Sequence, residues 1–388
     1  MPPLEAWEKV LMKLGSKTTV EEIDPHFAMQ SCTGCHGGND FEHENHEEAH
    51  EGLIEDPADM EHKACNKCHF EIAETFSDSM HLQLWGEKTA IAARSGAASF
   101  GECPQALQDG FKGECASCHA SCGDCHISRP DGVGKGFIKN HEFRKKPHQK
   151  NQCMACHGSR IAWDYTGDTD AGRQPDAHFA KGWDCMKCHD GNEMHAAANG
   201  APDRYHLDAA PRCEDCHDLA DANAFHATHW DDLSCHVCHA QAYNNCAGCH
   251  VGGAWKEDEE YLAHNPAVDF RIGINPFPDR RFKYVTLRHA PVAKDTYDNW
   301  GAEGTLTTFD ALPTWKYNTP HSVRRWTPRT EVEGDAGCGA NCHLGSPMGS
   351  TDNVGLYLFQ QYIEDNWPEE SLANIPVVVD GQLPDSWE

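Results

Sequence analysis

The chain contains no uninterrupted apolar run of about 18 residues, so it encodes no membrane-crossing helix. Basic side chains are scarce: Lys and Arg total 32 against 61 Asp and Glu, a formal charge of −29. That imbalance argues against a nucleic-acid partner, whose phosphates need a basic surface, and equally against an anionic lipid face. Hydrophobic residues occupy only 39% of 388 positions, lean for a length that would allow two or three domains. Residues 1–14 lack the basic start and apolar stretch of a secretory leader. Leu4, Trp7, Val10, Leu11 and Leu14 instead share one face of a short helix, so 1–25 reads as a helical docking arm. If the protein is exported, its leader is expected to be already gone.

What the chain has in excess is Cys, 21, and His, 27. The cysteines fall into a pattern, Cys-x-x-Cys-His, nine times. The first four copies are Cys32, Cys35 and His36; Cys65, Cys68 and His69; Cys115, Cys118 and His119; and Cys122, Cys125 and His126. The next three are Cys153, Cys156 and His157; Cys185, Cys188 and His189; and Cys213, Cys216 and His217. The last two are Cys235, Cys238 and His239, then Cys246, Cys249 and His250. A shuffled chain of this composition would carry about 0.08 copies, so chance is excluded. The pentapeptide is the attachment signal for haem c: two thiols form thioethers and the adjacent His is the proximal iron ligand. CGANCH, with Cys338, Cys342 and His343, reads as a tenth site whose extra spacer is absorbed by Gly337 and Gly339. Ten haems are therefore expected, nine at least. Zinc ribbons and disulfide scaffolds do not require a His after every second Cys. Cys103 is left over, either a buried thiol or an unusual covalent link.

Seventeen His remain against 9 Met, so bis-His ligation is the economical expectation. The preferred distal ligands are His50, His81, His141, His148, His178, His195, His206, His226, His289 and His321. His226 and His229 compete for one role. His43, His46 and His62 lie in an acidic stretch and read as solvated. His236 is a spacer inside its own motif, His264 is undecided, and Met348 is a weak alternative ligand for the last iron.

The motifs are irregularly spaced, two residues apart at 119–122, six at 239–246 and 87 before the last, so no solenoid is encoded. The expected organisation is the arm 1–25, a nine-haem region 26–250, a haem-free wrapping segment 251–337 and a tenth site with its tail, 338–388. With so little apolar residue per site, the porphyrins themselves should form the core. The expected fold is mainly α and irregular, with short helices and very little β. Arg271, Arg280, Arg281, Arg288, Arg324, Arg325 and Arg329 of the wrapping segment are candidates to pair with haem propionates. The tail carries a helix around LYLFQQYIEDNW and a strand-like IPVVV run, which docks on its own chain or adds to a neighbouring subunit.

SCTGCHGGND with EEAHEGL, CASCHASCGDCHISRP, AHFAKGWDCMKCHDGNEMH, LSCHVCHAQAYNNCAGCHVGG and LPTWKYNTPHSVRR carry a resemblance. Over roughly 30–343 the chain resembles multihaem c-type cytochromes. More narrowly, it is similar to the octahaem hydroxylamine oxidoreductase and tetrathionate reductase superfamily and to extracellular, filament-forming electron-transfer cytochromes. The resemblance implies a periplasmic or extracellular location, haems in stacked and T-shaped pairs, and redox partner proteins or an extracellular acceptor, with a homo-oligomer or filament. It departs in having ten sites and no CxxCK motif. Two functions follow as expectations. The first is electron relay along closely spaced bis-His haems, without catalysis. The alternative is an oxidoreductase acting on nitrite, hydroxylamine or tetrathionate at one open haem, the last motif being the favoured exception.

Overall fold

The computed structural model describes residues 22–42, 44–169, 172–244, 267–290, 292–331, 337–345 and 349–388. Most of the amino-terminal arm lies outside the described residues, as do His43, His264 and Met348. So does the whole ninth motif, Cys246, Cys249 and His250, and so do the side chains of Cys118 and Cys338. The fold is mostly helical and irregular with little sheet, in line with the expectation from composition. Two compact units interleave in sequence. Unit 1 comprises 1–86, 115–156 and 184–210; unit 2 comprises 87–114, 157–183 and 211–388.

Unit 1 is made of single turns. The motif turn α1 (Cys32–His36) is capped by Ser31, whose hydroxyl accepts the Gly34 N–H. A longer helix, α2 (Phe70–Phe76), follows the second motif. Buried apolar side chains among its described residues are few and scattered: Ile23, then Ala73 and Phe76 of α2, and Leu82, Ile127, Ala198 and Ala201. The acidic stretch 37–61 is largely exposed, and its Asn45 caps a turn at His46–Ala49.

Unit 2 has a conventional core. Helices α3 (Trp85–Ser95, from Glu87 onward in this unit) and α4 (Gln105–Glu114) bury Ile91, Leu107 and Phe111. A two-residue ladder pairs β1 (Tyr243–Asn244) with β2 (Ala267–Val268). In the region expected only to wrap, β3 (Arg271–Ile274), β4 (Tyr284–His289) and β5 (Trp315–Tyr317) form an antiparallel sheet with β4 in the centre. The alternation that marks a half-buried strand is absent from β4 because all six of its residues are buried. One apolar cluster joins Val285, Leu287, Trp315, Leu358, Ile363, Val377 and Val378. The other joins Tyr243, Ile272, Tyr284, Tyr357, Val379 and Trp387.

The IPVVV run is not a strand. It leaves a short helix, Ser371–Asn374, and Val377 and Val379 are buried within unit 2, the Ile274 N–H donating to the Val377 carbonyl at 2.8 Å. Gly273 permits that approach: a Cβ there would meet the Val377 oxygen at 2.5 Å. Apolar burial, rather than addition to another subunit, accounts for its three valines. The expected tail helix is present as Gln360–Asn366.

Candidate functional site

Each described motif winds one helical turn. α5 (Cys122–His126), like α1, is α-helical and carries a reciprocal cap, Ser121 accepting the Asp124 N–H while Asp124 accepts the Ser121 N–H. The turn Cys235–His239 is α-helical too, with the Cys238 carbonyl accepting the Thr327 hydroxyl at 2.6 Å. The motifs at Cys65, Cys115, Cys185, Cys213 and Cys338 wind as 3-10 turns. In three of these the N–H of the terminal His donates to the carbonyl of the first Cys, at 2.9 Å for His69 and His189 and 3.0 Å for His217. In CGANCH the corresponding acceptor is Gly339, at 2.7 Å, so the turn spans Gly339–His343 and Cys338 stands one residue before it. The Cys153 motif is wider: a π-helical turn, Gln149–Cys153, runs into Met154–Cys156.

The second thiols lie within reach of a group arriving from outside. Cys188 and Cys216 are exposed, Cys156 and Cys238 are half-buried, and none of the four is in a disulfide.

The motif histidines face other histidines. Within unit 1, His36 and His141 have ring centres 6.2 Å apart, His26 and His69 6.2 Å, and His126 and His195 6.1 Å. Within unit 2 the pairs are His178 with His217 at 6.1 Å and His226 with His239 at 6.2 Å. This spacing suits two imidazoles bonded to one metal. A metal–nitrogen bond of about 2.0 Å, with the ring centre roughly 1.1 Å behind the nitrogen, places the centres about 6.2 Å apart.

His119 and His157, expected as proximal ligands of the same kind, belong to none of these five pairs. His119 is half-buried, and its N–H donates to the Ala116 carbonyl at 2.9 Å, one residue short of the closure made by His69 and His189. His157 is exposed at the end of its turn, and its carbonyl accepts from Ile161 and Ala162 at 3.2 and 2.9 Å, starting the next helical segment.

The other ring nitrogen is held as a ligand requires. His36 Nδ1 donates to the Ile54 carbonyl at 2.8 Å, His126 to Arg144 at 2.6 Å and His239 to Arg324 at 3.0 Å. On the facing side His226 donates to Leu219 at 2.9 Å, His26 to Asp24 at 2.5 Å and His178 to Asp176 at 2.9 Å. A carbonyl can only accept, so the proton sits on Nδ1 and the Nε2 lone pair is available. Burial keeps His195 and His239 below the usual imidazole pKa, and so neutral. His81 is likewise pushed down by burial, with Glu193 opposing and the charge of His189 adding to it, which places it beside the Cys185 motif. Burial pushes His189 down, but its 2.8 Å bond to Glu193 together with the charges of Glu193 and Cys153 outweighs it, and the net shift is upward.

Among the described residues no group of three or more His, Cys, Asp or Glu converges on a point, as a structural zinc site would need. Two opposed imidazoles leave an octahedral metal four ligands short, and a porphyrin supplies four. The donor set therefore fits haem c at these five pairs.

The other expected distal ligands are placed differently. His289 does not turn outward: it is buried in β4, its Nε2 hydrogen-bonded to Glu370 at 2.7 Å and its ring stacked on Trp315. His148 caps a turn by accepting the Asn151 N–H at Nδ1, 3.3 Å, which leaves the proton on Nε2, the wrong tautomer for ligation there. His50 is exposed and bonded to its own turn at the His46 carbonyl, 2.7 Å. His206 and His321 have Nδ1 on Asp203 (2.8 Å) and the Thr319 carbonyl (3.1 Å), so their Nε2 atoms are in the ligand tautomer.

Two facing histidines were not among those expected. His26 precedes every motif, and its only sequence signal is Asp24-Pro25, which caps the turn that carries it. His226 and His229 do not compete: three apart on α6 (Ala224–His229), one faces His239 and the other His343.

The His229–His343 pair has the same 6.2 Å spacing, but Trp387 lies 5.7 Å from one ring and 5.6 Å from the other. Being equidistant, the indole stands in the plane midway between them, where a macrocycle would have to lie. His343 Nδ1 is also buried without a hydrogen-bond partner. Here the residues do not fit a bis-His haem in the arrangement observed.

The arginines expected to meet propionates are mostly engaged within the protein. Arg329 donates to the Val237 carbonyl at 2.6 Å and also to Ala240, Arg324 donates to Pro175 at 2.9 Å, and Arg281 bonds Glu214 and Asp231. Arg271 lies over the Tyr362 ring at 4.1 Å. Cys103 is a buried thiol beside the Ser95 hydroxyl at 3.4 Å. No protein-family profile, curated protein or solved structure matches the chain.

Proposed function

We propose that this chain is a multihaem c-type cytochrome that relays electrons between exported redox partners. The observation that carries the reading is the set of five opposed His pairs at 6.1–6.2 Å, each with one member at the end of a Cys-x-x-Cys-His turn. Haem c, when attached, supplies a one-electron couple at its iron. The chain's residues fix that couple. At these five sites the paired Cys of the turn would anchor the group, and the His that closes the turn and a His from a remote segment would hold its iron. The Nδ1–H bonds to carbonyls lock the tautomer. The carboxylates of Asp24 and Asp176 make His26 and His178 more electron-rich, which favours ferric iron and lowers the potential of the sites they serve. At the five facing pairs a histidine on each side would leave no position for a substrate, which supports carriage rather than catalysis there. Thioether formation needs the motif cysteines as free thiols, and on this reading attachment takes place outside the cytoplasm, after export.

The test is spectroscopic. Purified protein should show a haem c pyridine haemochrome, covalent haem on the motif peptides, and an EPR spectrum of low-spin ferric iron. A high-spin species that binds nitrite or hydroxylamine would transfer the protein to the oxidoreductase reading, and a colourless protein would end both.

A further inference from the structure

One arrangement of hydrogen bonds occurs twice, once in each unit. In unit 1 the buried Asp24 accepts at Oδ1 from the backbone N–H and the Nδ1–H of His26, at 3.1 and 2.5 Å. Its Oδ2 accepts the Phe143 N–H at 3.0 Å. The next residue, Arg144, is tied to a second histidine. Its N–H donates to the His126 carbonyl at 2.7 Å, and its carbonyl accepts the His126 Nδ1–H at 2.6 Å. In unit 2 the buried Asp176 accepts at Oδ1 from the N–H and the Nδ1–H of His178, at 2.7 and 2.9 Å, and at Oδ2 from the Val323 N–H at 2.7 Å. Arg324, next in the chain, donates to the His239 carbonyl at 2.8 Å and accepts the His239 Nδ1–H at 3.0 Å.

The four histidines belong to four different facing pairs. His26 faces His69 and His126 faces His195 in unit 1; His178 faces His217 and His239 faces His226 in unit 2. The segments that close the two clamps agree in sequence, His141-Glu142-Phe143-Arg144 and His321-Ser322-Val323-Arg324. Capping a local turn would occupy one carboxylate oxygen. Here the second oxygen holds a segment 119 or 147 residues further along the chain, so each aspartate reaches two sites through a single peptide. The two arms differ in kind. A carboxylate makes the imidazole it holds more basic, whereas a carbonyl fixes the ring and its tautomer without adding charge.

We propose that Asp24 and Asp176 are equivalent positioning residues, each serving two cofactor sites at once. Through Oδ1 the carboxylate orients the remote imidazole of one site and lowers the potential there. Through Oδ2 and the following Arg carbonyl it sets the ring plane of the closing histidine at a second site. The inference rests on the proposed function and deepens it: in each unit one buried charge governs the potential at one site and the ligand orientation at another.

The experiment uses the haem-loaded full chain. Asp176→Asn keeps the shape and removes the charge, and with its oxygen on His178 its amide nitrogen cannot accept the Val323 N–H. In a potentiometric titration one haem should become easier to reduce. Its ferric-to-ferrous ratio at a fixed potential should fall about tenfold, equivalent to about 59 mV, and no other haem should move as far. The spread of the low-spin EPR g values reports the angle between two axial imidazoles, and it should change at two haems. Asp24→Asn should do the same in unit 1. A potential shift with only one altered spectrum, or two altered spectra with every potential unmoved, would overturn the proposal and leave the functional reading intact. Absence of covalent haem from the parent would overturn that reading itself. A structure of the haem-loaded parent needs no variant. Asp176 bridging the His178 Nδ1–H and the Val323 N–H, with His178 and His239 on separate irons, supports the proposal, and either imidazole standing off its iron overturns it.

Discussion

In unit 2, Leu287 sits in the central strand of a sheet, fully buried among Val285, Trp315, Leu358 and Val377. In unit 1, the described buried side chains at Phe76, Leu82 and Ile127 belong to single turns and short helices. The first arrangement removes apolar surface from water by packing side chains on side chains. The second sets out rings of facing histidines and turns carrying thiols, which enclose a large apolar group better than they enclose each other. Unit 2 should therefore hold its sheet without cofactor, and unit 1 should not, by the linkage through which a bound group's affinity becomes folding free energy.

The largest effect should come from preventing attachment. With Cys65 and Cys68 replaced by Ala, together with Cys122 and Cys125, amide exchange across unit 1 should approach that of an unfolded chain. The amides of 284–289 should stay protected, and equal loss in both units would refute the contrast. Next in size, Leu287→Ala should cost unit 2 about 2–5 kcal/mol in chemical denaturation of the haem-loaded protein. Leu82→Ala in unit 1, less completely surrounded, should cost less than about 2 kcal/mol.

Two histidines sharpen the comparison. His195→Ala should convert one haem to high spin with little loss of covalent haem. His289→Ala should leave every spin state unchanged and cost unit 2 about 1–3 kcal/mol, because the buried Glu370, which also binds Thr314, loses a partner. Acid should act first on the histidines of the cofactor sites. In the unfolded chain the imidazoles of His81 and His195 take up protons below the ordinary pKa of about 6.5, while in the fold their burial resists protonation. The unfolded or detached state thus binds more protons, and stability falls as the pH drops through that window. An acid titration should show low-spin haem giving way to high-spin, and a transition on the alkaline side would contradict the sign. The smallest effect concerns a single site: Trp387→Ala clears the plane between His229 and His343. Peptide mass should then show more haem on Cys338 and Cys342 than in the parent.

The motif turns were legible because their pattern is local. Cys-x-x-Cys-His places two thiols and an imidazole within one turn wherever the chain goes, and the sequence names those residues outright. The scarcity of apolar residues and the short, irregular helices were legible for the same reason. Facing partners were not, since an imidazole such as His141 or His178 reaches its mate across a distance that only the folded backbone sets. His119 and His157 show the same limit from the other side: their motifs read like the rest, yet neither enters one of the five facing pairs. His26 was invisible because nothing near it repeats. His289 misled because its strand is buried on both faces, where a polar ring looks like an outward ligand until Glu370 is found opposite. His226 and His229 resembled rivals in one dimension and serve two faces of a helix in three.

Local composition and spacing thus determined by themselves which residues carry paired thiols with an adjacent imidazole on one turn, since a five-residue turn needs no tertiary context. Which histidine faces which, where Trp387 lies and how the valines of the tail are buried were decided by tertiary structure alone. These depend on long-range packing, where one segment's partner is chosen by shape, burial and hydrogen-bond satisfaction contributed from distant parts of the chain.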